Sequence, residues 1–214
     1  MGQKSGRSWR NGLVLAAVGG MLAGCAGVDN SRGTPTVYSD PGSPGPVQGV
    51  GIESQDIVSM TDQMMRDMLS EPRLAGRKTP PNVIIDDEYF SNDSTWRADK
   101  KVITERLRVN LNRAAKGRMV FIARHVAAMV ENERALKREG RVDKGTLSMT
   151  AASKGGDYRM DGHIGSVDTL NPRTGMKSRY SQISFEMVDL ETGEIVWSNI
   201  YEMQKSGQDD IIYR

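Results

Sequence analysis

The chain has 214 residues, with 29 basic and 27 acidic side chains and a formal net charge of only +2. This balance gives no reason to expect binding to nucleic acid or to acidic lipids, and the length suits one main folded domain. The single cysteine excludes an internal disulfide bond.

The N-terminal segment has the pattern of a secretion signal. Three basic residues precede an apolar run over residues 13–23, which is too short to span a bilayer as a helix. The run ends in Leu-Ala-Gly-Cys, which resembles the bacterial lipobox. We therefore predict a signal peptide over residues 1–24, cleavage between Gly24 and Cys25, and S-diacylglycerol and N-acyl groups on Cys25. The alternative is a buried N-terminal helix with an unmodified thiol.

The lipid on Cys25 is expected to anchor the mature protein, because acyl chains supply membrane affinity. Ala26 follows the cysteine, and by resemblance to enterobacterial sorting rules this favours the outer membrane, with the protein facing the periplasm. Residues 25–51 are rich in Gly, Pro and Ser and hold four of the eight prolines. Such a segment buries too little apolar surface to fold, so we predict a flexible tether that reaches about 80 Å when stretched. An ordinary disordered terminus is the alternative.

A single globular domain is predicted over residues 52–214. Ser54 and Asp56 offer N-cap chemistry for a first helix of about 14 residues, which ends before Pro72. Methionines recur along this helix at three- and four-residue spacing. Core packing is the favoured interpretation of this stripe, and an adaptable binding surface is the alternative.

The middle of the domain alternates short strands with helices. Residues 83–85 form an apolar run typical of a buried strand, and residues 93–95 form a polar turn. A second helix follows and ends at Gly117, a good C-cap residue. Residues 118–124 indicate another strand, and residues 126–139 indicate a third helix that is polar on most of its surface.

The last third of the chain changes character. From Tyr158 onward, apolar and polar residues alternate between turns that contain glycine, which predicts an antiparallel meander. Trp197 is expected in the core because it shares a strand face with Ile195. The fold class is therefore expected to be α+β, an antiparallel-rich sheet with helices packed on it.

Little in the sequence indicates catalysis. Cys25 is expected to be acylated, and the two histidines, His125 and His163, lack the spacing of metal ligands. No nucleophile-elbow or phosphate-cradling glycine motif is present. The acidic run Asp86-Asp87-Glu88 follows a predicted strand and indicates either a cation site or, as favoured, a solvated strand exit. We expect a binding or regulatory protein and no enzyme, with no metal and no cofactor beyond the covalent lipid.

Several segments are shared with a known family. They are the lipobox, the proline-rich tether, the first-helix segment from Ser54, the turn Asn92-Asp-Ser-Thr, the run Arg106-Leu-Arg-Val-Asn-Leu and the strand Tyr158-Arg-Met-Asp-Gly-His-Ile. Together they resemble the LpoB family, outer-membrane lipoproteins that activate a penicillin-binding protein. The element from Phe185 to Trp197 also occurs in CsgG and in relatives of the TolB N-terminal domain, so it indicates a fold more than a function.

The resemblance implies a TolB N-terminal-domain-like fold and a monomer that docks on a bifunctional class A penicillin-binding protein and stimulates peptidoglycan synthesis. A CsgG-like secretion-channel component and a periplasmic lipoprotein that shares only the fold are the alternatives. No motif marks the docking residues. The candidates are groups expected to be exposed in the polar turn and along the last strands: Asp93, Thr95, Arg97, Arg179, Tyr180 and Tyr201.

Overall fold

The computed structural model describes Gly33 and residues 36–46, 48–143 and 152–208. The predicted signal peptide, its cleavage site and Cys25 lie outside the described residues. The chain divides into two units, Met1–Tyr38 and Ser39–Arg214, and all described helices and strands belong to the second. No described helix is both long enough and apolar enough to cross a membrane.

The first helix, α1 (Ser54–Ser70), ends before Pro72 as predicted but begins one residue earlier than expected. Its N-cap is Glu53, which forms a capping box with Asp56. The backbone N–H of Glu53 donates to the Asp56 carboxylate over 2.7 Å. The methionine stripe is completely buried, at Met60, Met64 and Met68. Core packing is therefore confirmed, and the alternative of a binding surface is wrong for these three side chains.

Three further helices follow, α2 (Pro72–Ala75), α3 (Lys100–Ala115) and α4 (Ala127–Arg138). The backbone of α3 leaves the helix through Lys116 and Gly117, both of which have a positive φ, so the predicted end is confirmed. A short 3-10 helix precedes α4, and none of the side chains of α4 is buried.

Six strands form one mixed sheet in the described part of the chain: β1 (Asn82–Ile84), β2 (Phe90–Asn92), β3 (Val120–Phe121), β4 (Tyr158–Leu170), β5 (Lys177–Asp189) and β6 (Ile195–Gly207). The order is β3-β1-β4-β5-β6, and β2 also pairs with β4. The strands β4, β5 and β6 form the predicted antiparallel meander, whereas β1 and β2 run parallel to β4, and β3 runs parallel to β1. The expected α+β class is confirmed, with a sheet that is antiparallel over most of its length.

The core lies on one face of this sheet, against α1 and α3. Alternate residues of β5, from Arg179 to Met187, are buried on that face, while the residues between them point to the outer face and are only partly buried. Gly162 in β4 lets the ring of Phe90 pack against Phe185, with centroids 5.4 Å apart. A Cβ atom at Gly162 would overlap the Phe90 ring, so this position accepts only glycine without rearrangement.

A β-bulge in β6 changes which of its residues face the core. Met187 pairs with Trp197 but Val188 pairs with Ile195, so one extra residue, Val196, is accommodated between the two pairs. As a result Val196 and Trp197 are both buried, whereas Ile195 is exposed. The core position of Trp197 is confirmed, but the reason given for it, a face shared with Ile195, is wrong.

Candidate partner interface

The predicted polar turn lies in the segment between β2 and α3, and from here the name covers residues 92–97. Hydrogen bonds from its own side chains stabilise the backbone of this turn. The Asn92 carboxamide oxygen accepts from the backbone N–H of Ser94 over 3.0 Å and from its hydroxyl over 2.6 Å. The backbone N–H of Asp93 donates to the carbonyl of Ile164 over 2.9 Å, which ties the turn to β4. The exposed residues of the turn are therefore presented on a fixed backbone.

A buried arginine fastens the turn to the β4–β5 hairpin. Arg179 is only 4% exposed, and it donates from Nε and Nη2 to the two carboxylate oxygens of Asp168 over 2.6 and 2.8 Å. The same Nη2 donates to the Thr95 hydroxyl over 2.9 Å, and Lys177 Nζ lies 3.3 Å from the Asp168 carboxylate. Hydrogen bonds and charge from Arg179, with a smaller contribution from Lys177, lower the pKa of Asp168 to about 2. We name these four residues the Arg179 cluster.

Two other predicted candidates lie towards the outer face of the sheet. The Asp93 carboxylate is 2.9 Å from Nε2 of His163, whose neighbours along β4 are buried on the core face. Tyr180 alternates with the buried Arg179, and its hydroxyl donates to the Glu202 carboxylate over 2.5 Å, which raises the pKa of Tyr180. Asp93 and Tyr180 can therefore contribute to one polar surface on this face.

Three other candidates, Tyr201, Arg97 and Arg179, are not part of that surface. Tyr201 pairs with Ile183, packs against the core, and has its pKa raised first by burial and then by the charge of Asp56. Arg97 is exposed and makes no hydrogen bond or ion pair within the described residues. The expectation that Arg179 is an exposed group is wrong, because its guanidinium is enclosed between Thr95 and Asp168.

Sequence reasoning missed Asp168, Lys177 and His163. The available signal was the hairpin itself, since Asp168 and Arg179 are directly opposite across β4 and β5 and carry opposite charges. Finding that pair required the register of the hairpin, which follows from the length of the turn between the strands.

Asp86, the first residue of the acidic run that follows β1, is not exposed to solvent. Asp86 is 4% exposed, and both its carboxylate oxygens lie 2.9 Å from Nη2 of Arg159, which also pairs with Glu88. The same guanidinium stacks on the Tyr89 ring, 4.4 Å from its centroid. The favoured interpretation is therefore wrong for Asp86. Among the described residues, no group of three or more His, Cys, Asp or Glu side chains is arranged to hold a metal ion.

Comparison with known sequences identifies the family. The family described as peptidoglycan-synthase activator LpoB matches residues 56–203, which includes most of α1, the polar turn and the Arg179 cluster. The chain belongs to the LpoB family. No curated protein matches the chain significantly.

Two solved structures were compared with this LpoB-family chain. The LpoB C-terminal domain from Salmonella enterica is 15% identical, with a TM-score of 0.36, over 68% of this chain and 96% of that one. Lipoprotein GNA1162 from Neisseria meningitidis is 11% identical, with a TM-score of 0.32, over 62% of this chain and 88% of that one.

Proposed function

We propose that this protein is an outer-membrane lipoprotein that docks on a bifunctional class A penicillin-binding protein and stimulates its synthesis of peptidoglycan. The observation that carries this proposal is the match of the activator family over residues 56–203. The protein acts in this proposal as a binding partner, as a monomer, and without catalysis, metal or cofactor of its own.

The anchoring part of the proposal rests on the lipobox. Cys25 carries the lipid, the segment after it serves as a tether, and the globular domain reaches a synthase in the inner membrane. Tethering raises the local concentration of the domain near its partner, so a modest affinity suffices. Val50 is already buried in the domain, so the flexible part ends before this residue.

The docking surface in this proposal is centred on the polar turn. Asp93 and Tyr180 contact the synthase from the outer face of the sheet, and Arg97, which is exposed, contacts it from the polar turn. Thr95 and Arg179 contribute by fixing the turn to the hairpin, and Tyr201 contributes by supporting β6 from the core side.

The function is tested with the purified lipoprotein in detergent and the class A synthases of the same organism. Glycan polymerisation from lipid-linked precursor is measured with and without the lipoprotein, and binding is measured by co-purification. We expect one synthase to be retained and its polymerisation rate to rise several-fold. If no class A synthase binds and none is stimulated, the proposal is wrong, and a lipoprotein sharing only the fold is left.

The anchor is tested separately with Cys25→Ala. We expect loss of labelling by radioactive palmitate and release of the protein from the outer-membrane fraction. A second variant removes residues 28–38 and is compared with one in which a Gly/Ser segment of equal length replaces them. The deletion is expected to lose activation in cells but not in detergent, while the replacement keeps both. Full activation in cells by the deletion would contradict the role of the tether.

A further inference from the structure

A polar cleft of about 440 Å³ is lined by residues other than those of the polar turn. Its walls come from the chain that follows β1, from α3, and from the 3-10 helix that follows β3. We name it the Arg108 cleft; the residues that matter are Asp87, Lys101, Glu105, Arg108, Arg124 and His125. Because β1 and β3 are parallel neighbours, the chain segments that follow both strands line the same cleft.

Three cations of this cleft have no carboxylate partner among the described residues. Arg108 Nη1 donates to the carbonyl of Ile85 over 3.1 Å and lies 3.4 Å from Nδ1 of His125. Arg124 Nη2 donates only to a backbone carbonyl, over 3.2 Å, and Lys101 makes no side-chain hydrogen bond or ion pair within the described residues. A guanidinium can only donate a hydrogen bond, so Nδ1 of His125 can take part in this contact only as an acceptor.

Two carboxylates of the same cleft are also uncommitted. Asp86 and Glu88 form ion pairs with Arg159, but Asp87 and Glu105 form no ion pair in the part of the chain that the structure describes. Positive and negative groups thus line one cavity, and no direct ion pair joins the three cations to Asp87 or Glu105 within the described residues. This differs from the Arg179 cluster, where the opposite charges are in direct contact.

The charge arrangement selects a class of ligand. A simple anion would face the two free carboxylates, and a simple cation would face three positive side chains. A ligand that carries both an ammonium and a carboxylate group satisfies both sets, and the cavity volume lies in the range that holds small ligands. We propose that the Arg108 cleft binds a small amino-carboxylate zwitterion. Its carboxylate binds Lys101, Arg108 and Arg124, and its ammonium binds Asp87 and Glu105.

Such groups occur on free amino acids and on peptides, including those of the cell wall. The ligand class follows from the cleft alone, whereas a cell-wall source rests on the proposed function. A ligand-binding cleft away from the docking surface would let the activator respond to the wall material around it.

The test uses the purified full chain in detergent and three matched probes, with binding measured by calorimetry. Diaminopimelate carries two amino-carboxylate groups, pimelate is the same carbon chain without amines, and cadaverine is its fully decarboxylated counterpart. We expect diaminopimelate to bind and the other two probes to bind at least about ten-fold more weakly. Equal binding of all three probes, or no binding of diaminopimelate, overturns the proposal.

Charge-removing variants locate the binding. Lys101→Gln and Asp87→Asn are each expected to weaken diaminopimelate binding about five- to ten-fold, and neither side chain forms an ion pair in the part of the chain that the structure describes. The control is Lys78→Gln, an exposed lysine outside the cleft, which is expected to change nothing. Thermal unfolding confirms that each variant is folded. Equal affinity of the cleft variants and the wild type overturns the assignment of the site.

Two further measurements identify the source of the ligand and distinguish failure of the cleft proposal from failure of the proposed function. Tighter binding of a cell-wall tripeptide that contains diaminopimelate supports a peptide source, and equal binding supports the free amino acid; both outcomes support the cleft. Synthase stimulation is measured on the same samples without added ligand. Stimulation without diaminopimelate binding overturns only the cleft, and binding without stimulation of any synthase overturns only the proposed function.

Discussion

The two halves of β4 are held in place by different forces. In the first half, buried residues such as Met160 and Ile164 pack into the apolar core, and Gly162 admits the ring of Phe90. In the second half the strand is mostly exposed, and Asp168 is fixed by Arg179 and Lys177. Apolar packing thus determines whether the domain folds, while the ion pairs determine how the polar turn is presented. Substitutions in the two halves are therefore expected to separate stability from partner binding.

The largest effect is expected from the first half. Phe185→Ala removes a completely buried ring beside β4 and is expected to lower the free energy of unfolding by about 3–5 kcal/mol. Chemical denaturation measures this loss. The control is Ile200→Ala on β6, where the side chain is half exposed and a change below about 0.5 kcal/mol is expected. Similar losses for both variants would contradict the packing described for this half.

Removal of the buried arginine is expected to have an intermediate effect. Arg179→Gln leaves Asp168 and Thr95 without their shared donor and is expected to cost about 1–3 kcal/mol in unfolding free energy. Because the turn then loses its side-chain attachment to Arg179 and keeps only bonds such as that from Asp93 N–H to the Ile164 carbonyl, stimulation of the synthase is also expected to fall several-fold. Arg173→Gln, in the exposed turn between β4 and β5, is the control. Normal stimulation by Arg179→Gln would show that the cluster does not present the turn.

The pH dependence of the unfolding free energy tests the contribution of the ion pair between Asp168 and Arg179. The pKa of Asp168 is lowered to about 2 in the folded state, so its contribution to stability is present above about pH 4 and is lost as the pH falls towards 2. Asp168→Asn is expected to be less stable than the wild type by about 1 kcal/mol at pH 6, a value that allows for solvent screening at a side chain 27% exposed. Denaturation curves between pH 2 and 6 should show this gap closing. A gap that is constant with pH would exclude the ion pair as its cause.

The smallest effect on stability is expected at the exposed end of the turn. Arg97→Ala is expected to change the free energy of unfolding by less than about 0.5 kcal/mol, because Arg97 makes no polar contact in the described part of the chain. Stimulation of the synthase by the Arg97→Ala variant is expected to fall several-fold if Arg97 contacts the partner. Arg113→Ala, an exposed arginine on α3, is the matched control. Equal stimulation by both variants would remove Arg97 from the docking surface.

The local pattern of the sequence was enough to predict α1, α3, α4, β1 and the meander. In these elements apolar residues repeat with the period of a helix or a strand, and the ends carry Gly117 or Pro72. The strand β2 was missed, because three residues beside a polar turn have no detectable period and pair in parallel with a strand about 70 residues away. The bulge at Val196 was missed for a related reason, since the register is a property of the strand pair.

The sequence by itself determined the motif that resembles a lipobox, the proline-rich segment after it, the α+β class and the membership of the LpoB family. These features depend on residue order or local periodicity, which are present before the chain folds. Only the tertiary structure decided which polar groups meet, because Asp86 and Arg159 are 73 residues apart, and Thr95 and Arg179 are 84 residues apart. It also decided that Asp87, Glu105 and three cations surround one cleft with no ion pair among the described residues, since only the folded chain brings β1, α3 and β3 to the same edge.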